Sequence, residues 1–121
     1  MKPHPKLTLI VALSFALLAP AFAQSTADVG LQAIADLATV NGQALACQDM
    51  PIAQRAKSLM LSHAPKTDKY GSAFTDGTNN SYLAQTRSAQ PCPATSVLSS
   101  QLDTLAIRLQ SSLPLTSASS Q

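Results

Sequence analysis

The residues best suited to chemistry lie in the middle of the chain, where Met60 and His63 are three positions apart and Met50 is nearby. A helix would place Met60 and His63 on one face. A thioether and an imidazole together are ligands that a soft ion such as Cu(I) accepts. A histidine at a helix C-terminus is more often structural, since the helix dipole favours an imidazolium there and the ring can bond a free carbonyl. We expect His63 to be structural and keep the metal site as the weaker hypothesis.

A haem site is a further interpretation of the same residues. Methionine and histidine can serve as axial ligands of a b-type haem inside a helical core. The sequence contains no C-x-x-C-H attachment motif, however, and it offers a single central histidine. We therefore predict no cofactor.

Cys47 and Cys92 are the only two cysteines in the chain. Redox-active and metal-binding pairs usually show C-x-x-C spacing or basic neighbours that lower the thiol pKa, and these two cysteines have neither. A structural disulfide is the simpler interpretation, and it implies an oxidising compartment. A loop of this length gives about 4 kcal/mol of stabilisation in the chain-entropy model.

No group of residues indicates an enzyme. The six acidic residues are all Asp and fall mostly on predicted polar faces or at helix starts, where a raised pKa for general acid catalysis is not expected. His4 lies among the first 23 residues, which are interpreted below as a signal peptide, so a Ser-His-Asp triad in the remaining chain would have only His63 as its base. The G-x-S-x-G motif is also absent. We predict that the protein is not an enzyme and assign no catalytic residue.

Two polar stretches contain residue types found in ligand sites. Asp76, Asn79 and Asn80 match part of a calcium loop, but the EF-hand spacing and its closing Glu are missing. Lys66 and Lys69 flank a predicted helix start, at which an anion can bind. Ordinary turn and helix chemistry explains both stretches equally well, so neither is interpreted as a site.

The first 23 residues have the pattern of a secretory signal peptide. Lys2 and Lys6 are followed by an apolar run over residues 7–19, and Pro20 precedes a small-x-small sequence that ends at Ala23. The run is well short of the roughly 20 residues that span a bilayer, which argues against a stable membrane anchor. We predict cleavage after Ala23 and a periplasmic or secreted protein.

Cleavage would change the charge of the protein. Lys2 and Lys6 are two of the eight basic residues, whereas all six acidic residues lie downstream, so residues 24–121 carry no net charge. The pI near 8.7 then belongs to the precursor. Nothing in residues 24–121 then supports electrostatic attraction to nucleic acid or to anionic lipid, and we predict no nucleic-acid partner. A neutral, sparsely charged surface resists association poorly, which favours a protein partner or a homo-oligomer.

Four stretches with apolar residues at helical spacing predict four amphipathic helices, at about residues 26–46, 50–63, 68–85 and 95–113. Asp49 is the predicted N-cap of the second helix, and Thr95 or Ser96 that of the fourth. Gly42 interrupts the first helix and indicates a kink or a closely packed neighbour; we favour a continuous helix. The polar face of this helix contains Asp28, Gln32, Asp36, Thr39 and Gln43.

The third helix is the least regular of the four. Asp76-Gly77 could form a hairpin turn instead, but the flanking residues do not alternate as strands do. Tyr70, Phe74 and Tyr82 are the three aromatic residues that remain after cleavage, and all fall in this segment. We therefore expect the third helix to supply the bulkiest part of the core.

Together these patterns predict an all-α fold, a small up-down bundle of about four helices with one disulfide. A signal peptide (1–23), a single helical domain (24–114) and a disordered Ser-rich tail (115–121) make up the chain. The leading hypothesis for function is a non-enzymatic exported factor that binds an unknown protein partner or a second copy. The alternative is a periplasmic carrier of a Cu(I)-like metal or a small apolar ligand, centred on Met60 and His63.

Overall fold

A computed structural model describes residues 26–115, together with Pro3, and residues 26–115 form an all-α structure. Its helices are α1 (Thr26–Ala46), α2 (Met50–His63), α3 (Asp68–Arg87) and α4 (Thr95–Ser112). No strand occurs in this range, so the predicted four-helix, all-α fold is confirmed. None of these helices is long and apolar enough to cross a bilayer. The predicted signal peptide and residues 116–121 of the predicted tail lie outside the described residues.

A left-handed residue ends α1 and turns the chain into α2. The N–H of Asp49 donates to the Ala44 carbonyl at 2.8 Å and that of Gln48 to the Leu45 carbonyl at 3.2 Å. This is a Schellman motif, and Gln48 adopts the positive φ, 59°, that the motif requires. The turn places Asp49 as the N-cap of α2, where its carboxylate accepts from the Ile52 N–H at 3.5 Å.

The start of α4 differs from the prediction. Its N-cap is Ala94, and neither Thr95 nor Ser96 caps it. The Thr95 hydroxyl instead donates to Asp49 Oδ2 at 2.7 Å, because a carboxylate is a strong acceptor and stands within reach. This bond joins the first turns of α2 and α4.

Helix α1 occupies the centre of the bundle. It contacts each of the other three helices, whereas α3 has its extensive contacts with α1 alone. The largest fully buried side chains come from α1 and α4 and are Ile34, Leu37, Leu98, Leu102 and Leu109. The expectation that α3 supplies the bulkiest part of the core is wrong, because of its aromatic residues Tyr70 is buried, Phe74 is half-buried and Tyr82 is 42% exposed.

Helices α1 and α3 run in the same direction and pack unusually closely at two glycines. Gly77 of α3 lies against Ala38, and Gly42 of α1 lies against the backbone of Thr78 and Tyr82. Because Gly42 has no side chain, α3 can approach the backbone of α1 at this point. Helix α1 is continuous through Gly42. The buried Asn41 amide donates to the Thr78 hydroxyl at 3.1 Å beside this contact.

Helix α4 runs antiparallel to α1 on another side. Arg108 pairs with Asp36 at 2.7 Å, and the Leu113 side chain lies against Gly30. At the opposite end, Cys47 and Cys92 form a disulfide with a Cα separation of 5.8 Å, as predicted. The bond closes a loop that contains α2 and α3.

Candidate functional site

His63 is held at the end of α2 by a helix-to-helix hydrogen bond. Its Nδ1 lies 2.7 Å from the carbonyl oxygen of Leu113, the C-cap residue of α4. A carbonyl can only accept, so Nδ1 carries the proton and donates. The ring thus bonds a helix-terminal carbonyl, although the carbonyl belongs to α4 and not to its own helix. In a catalytic triad, the acceptor of this ring N–H is an aspartate carboxylate, whereas here it is a backbone carbonyl.

The two methionines do not both lie near His63. Met60 is half-buried and packs against the apolar core, and Met50 is 44% exposed at the other end of α2. At 1.5 Å per residue, the backbones of Met50 and His63 are about 20 Å apart along the helix. Within residues 26–115, no group of three or more His, Cys, Asp or Glu residues is placed to hold a metal ion.

The other two polar stretches also have local explanations. Asp76, Asn79 and Asn80 are exposed residues within α3, so they do not form a loop that could wrap a cation. Lys66 Nζ donates to the Leu61 carbonyl at 3.0 Å, near the end of α2. These residues are solvated parts of helices and their connection.

We predict that His63→Leu lowers the free energy of unfolding by about 1 kcal/mol. The variant removes the bond to Leu113 and leaves the carbonyl at the end of α4 without this donor. Urea denaturation followed by circular dichroism measures the change. The exposed substitution Ser62→Leu, one position away, is the control and should leave the stability nearly unchanged. Equal stability of the two variants would show that the bond contributes nothing.

Two open grooves lie on either side of one exposed face of α1. The first, of about 710 Å³, is bounded by α1 and α4. The second, of about 680 Å³, is bounded by α1, α3 and the connection that leads to α4. Thr39 and Gln43 line both grooves, which therefore form one continuous surface. We call this surface the trough: α1 is its floor, and α3 and α4 are its walls.

The lining of the trough is almost uncharged. Within residues 26–115, Asp36 and Arg108 are the only charged residues that line it, and they form an ion pair with each other. Hydroxyl and amide side chains from these helices and from the connection to α4 make up most of the remainder. Apolar side chains also line it: Val40, Leu105 and the 48% exposed Val97 in the first groove, and Ala84, Pro91 and Pro93 in the second. This chemistry fits a ligand surface that is itself uncharged.

No known protein family, curated protein or solved structure matches this chain. Function is therefore inferred from the trough and from the helices around it. The sequence does contain one signal of the trough, because Asp36, Thr39 and Gln43 form part of the predicted polar face of α1. That pattern does not reveal which helices flank the face, and so the trough itself was not predicted.

Proposed function

We propose that the protein is an exported, non-enzymatic factor that binds another protein by accepting an uncharged helix of that partner in the trough. The observation that carries the proposal is the position of the trough between two helices. Helices α3 and α4 both pack on α1 but have no extensive contact with each other, so the exposed face of α1 is left between them. A partner helix placed there would pack against three helices at once.

The charge of the trough supports an uncharged partner surface. Asp36 and Arg108 already neutralise each other, at a distance of 2.7 Å. A charged partner side chain would lose hydration on entering the trough and would find no free opposite charge. Serine, threonine, glutamine and small apolar side chains on one helical face would instead meet hydroxyl, amide and valine groups of the same kind.

Export is the second part of the proposal. The disulfide between Cys47 and Cys92 supports it, since such bonds persist in oxidising compartments. We expect the protein in its native host to begin at Gln24 and to be recovered from the periplasm or the medium. Mass spectrometry of the fractionated cells measures both properties. Recovery of the unprocessed chain from the cytoplasm would contradict export.

The binding site is tested by photo-crosslinking in the native host. A photoreactive amino acid replaces Ser100 on the α4 wall or Asn80 on the α3 wall, both of which are exposed. Both positions should crosslink to the same helical segment of one partner protein. The exposed Ser58 of α2, away from the trough, is the control position. Equal crosslinking from Ser58, or adducts only between two copies of this chain, would overturn the proposal.

A matched pair of arginine variants tests the same surface. Thr39 lies in the floor, where both grooves meet, and Thr75 is an exposed threonine on α3 outside the trough. Thr39→Arg should reduce crosslinking from Ser100 by at least about tenfold, since a long charged side chain fills the floor. Thr75→Arg adds the same charge and should leave the crosslinking unchanged. If the two variants behave alike, the floor of the trough does not contact the partner.

A second candidate function is a carrier of a Cu(I)-like ion, centred on Met60 and His63. It is favoured by the bond from His63 Nδ1 to the Leu113 carbonyl, because metal-binding histidines commonly donate their second ring N–H to such an acceptor. Native mass spectrometry with Cu(I) should then show one bound ion, and Met60→Leu should remove it. Unchanged binding by that variant, or none by the native chain, would exclude this site.

A further inference from the structure

We propose that the disulfide between Cys47 and Cys92 controls the shape of the trough, so that its reduction releases the C-terminal half of α3 and prevents partner binding. The last step of this inference rests on the proposed function. The structural step concerns only the α3 wall and does not depend on a partner.

The disulfide joins the floor of the trough to one of its walls. Cys47 follows Gln43, a floor residue, by one helical turn. Cys92 stands between Pro91 and Pro93, and both prolines line the second groove. The covalent bond therefore fixes the end of α1 against the connection that completes the α3 side of the trough.

Other interactions of this connection are local. Gln90 accepts from the Gln85 side chain at 3.3 Å, and its N–H donates to the Ser88 hydroxyl at 3.2 Å. These bonds stay within the connection and the last turn of α3. Pro91 and Pro93 have no N–H and cannot donate at all. The disulfide is the covalent link from this segment to α1.

The C-terminal half of α3 contains few buried side chains. Among the residues of this helix, only Tyr70 and Thr78 are buried, and Tyr82 and Leu83 are more than 40% exposed. After Thr78, its contacts with α1 include the close approach to Gly42 and a 2.6 Å bond from the Ser81 hydroxyl to the Thr39 carbonyl. Segments with so little buried apolar surface open at low free-energy cost.

Reduction requires a dithiol, as a small molecule or as a protein with two thiols. Its thiolate attacks Sγ of Cys92, because Cys92 is exposed whereas Cys47 is half-buried. A mixed disulfide forms, and Cys47 leaves as a thiolate. The second thiol of the dithiol then displaces Cys92. Two electrons pass from the dithiol to the protein, the dithiol becomes a disulfide, and its two protons end on the two cysteines.

Hydrogen exchange measured by mass spectrometry tests the structural step on the whole protein, oxidised and reduced by a dithiol. In the reduced protein, amides of residues 79–94 should exchange within about tenfold of the rate of an unstructured peptide. Amides in the centres of α1 and α4 should remain protected, and circular dichroism should show that most helix is kept. Cys47→Ser/Cys92→Ser should reproduce the reduced pattern, and oxidised dithiol is the control reagent. Protection of residues 79–94 equal to that of α4, or loss of all helix, would overturn the inference.

Crosslinking from Ser100 separates this inference from the proposed function. Loss of the partner adduct on reduction, together with exposure of residues 79–94, is the expected result. An adduct that persists at full yield in the reduced protein would overturn control by the disulfide and leave the proposed function standing. Release of residues 79–94 with no adduct in either redox state would instead contradict the proposed function.

Discussion

Removing the disulfide should produce the largest loss of stability of any change considered for this protein. Cys47→Ser/Cys92→Ser is expected to lower the free energy of unfolding by about 4 kcal/mol in the chain-entropy model, because the cysteines are 45 positions apart. Urea denaturation of the oxidised native chain and of the double variant measures the difference. Native domains are usually stable by about 5–15 kcal/mol, which exceeds the expected loss, so the variant should still fold.

Two comparisons make the disulfide prediction specific. The reduced native chain should unfold at the same urea concentration as Cys47→Ser/Cys92→Ser, since both lack the bond and differ only at two side chains. The exposed substitution Ser88→Ala, in the same connection as Cys92, should have a small effect. A loss below about 1 kcal/mol in the double variant would mean that the unlinked chain is already restricted by residual structure.

Gly42→Ala should destabilise the protein by about 2 kcal/mol, although alanine favours helix over glycine. A Cβ at position 42 would lie 2.6 Å from Ser81 Cβ and 2.7 Å from the Tyr82 nitrogen, and it would overlap the Thr78 carbonyl oxygen. Backbone atoms cannot rotate away, so α1 and α3 must separate. Such overpacking typically costs about 1–3 kcal/mol, and separation also weakens the bonds from Asn41 and Ser81. The overpacking cost and the weakened hydrogen bonds together exceed the gain of about 1 kcal/mol that alanine brings through its helix propensity.

Gly71 provides the matched control within α3. A Cβ added there meets no atom within 4 Å, so Gly71→Ala should stabilise the protein by as much as about 1 kcal/mol. Gly30→Ala is intermediate, because the three atoms nearest to its Cβ all belong to the Leu113 side chain, which can rotate. Thermal unfolding of the three variants should rank Gly71→Ala above Gly30→Ala and Gly42→Ala last. A stabilising Gly42→Ala substitution would show that α3 does not approach α1 this closely.

The helices were predictable because their signals are local. Pro51 lies in the first turn of α2 and Pro65 follows its end, and α2 spans Met50–His63. The apolar residues of α1 also predicted a continuous helix over Thr26–Ala46, as observed. Its apolar face is widened by Leu37, Val40 and Ala44. A wide apolar face is expected for a helix that contacts three others, as α1 does.

The predictions that went wrong involve competition between distant residues. Thr95 is a suitable N-cap by type, but its hydroxyl bonds Asp49, which is far away in the sequence. Tyr82 is aromatic yet 42% exposed, because the second half of α3 approaches α1 through Gly42 and Ser81 and leaves no room between them for a large ring. The trough depends on the placement of α3 and α4 around α1, which a single-helix pattern does not contain.

Because α1 lies at the centre of the bundle, its apolar residues are covered only by helices that are synthesised after it. Synthesis begins at the N-terminus, so α1 is complete at Ala46, whereas α4, which covers much of its apolar surface, is complete only at Ser112. At about 5–20 residues per second, synthesis of residues 47–112 takes on the order of 3–13 s, and α4 cannot cover α1 before it is complete. The apolar residues of α1 that pack against α4 therefore lack this cover during that interval.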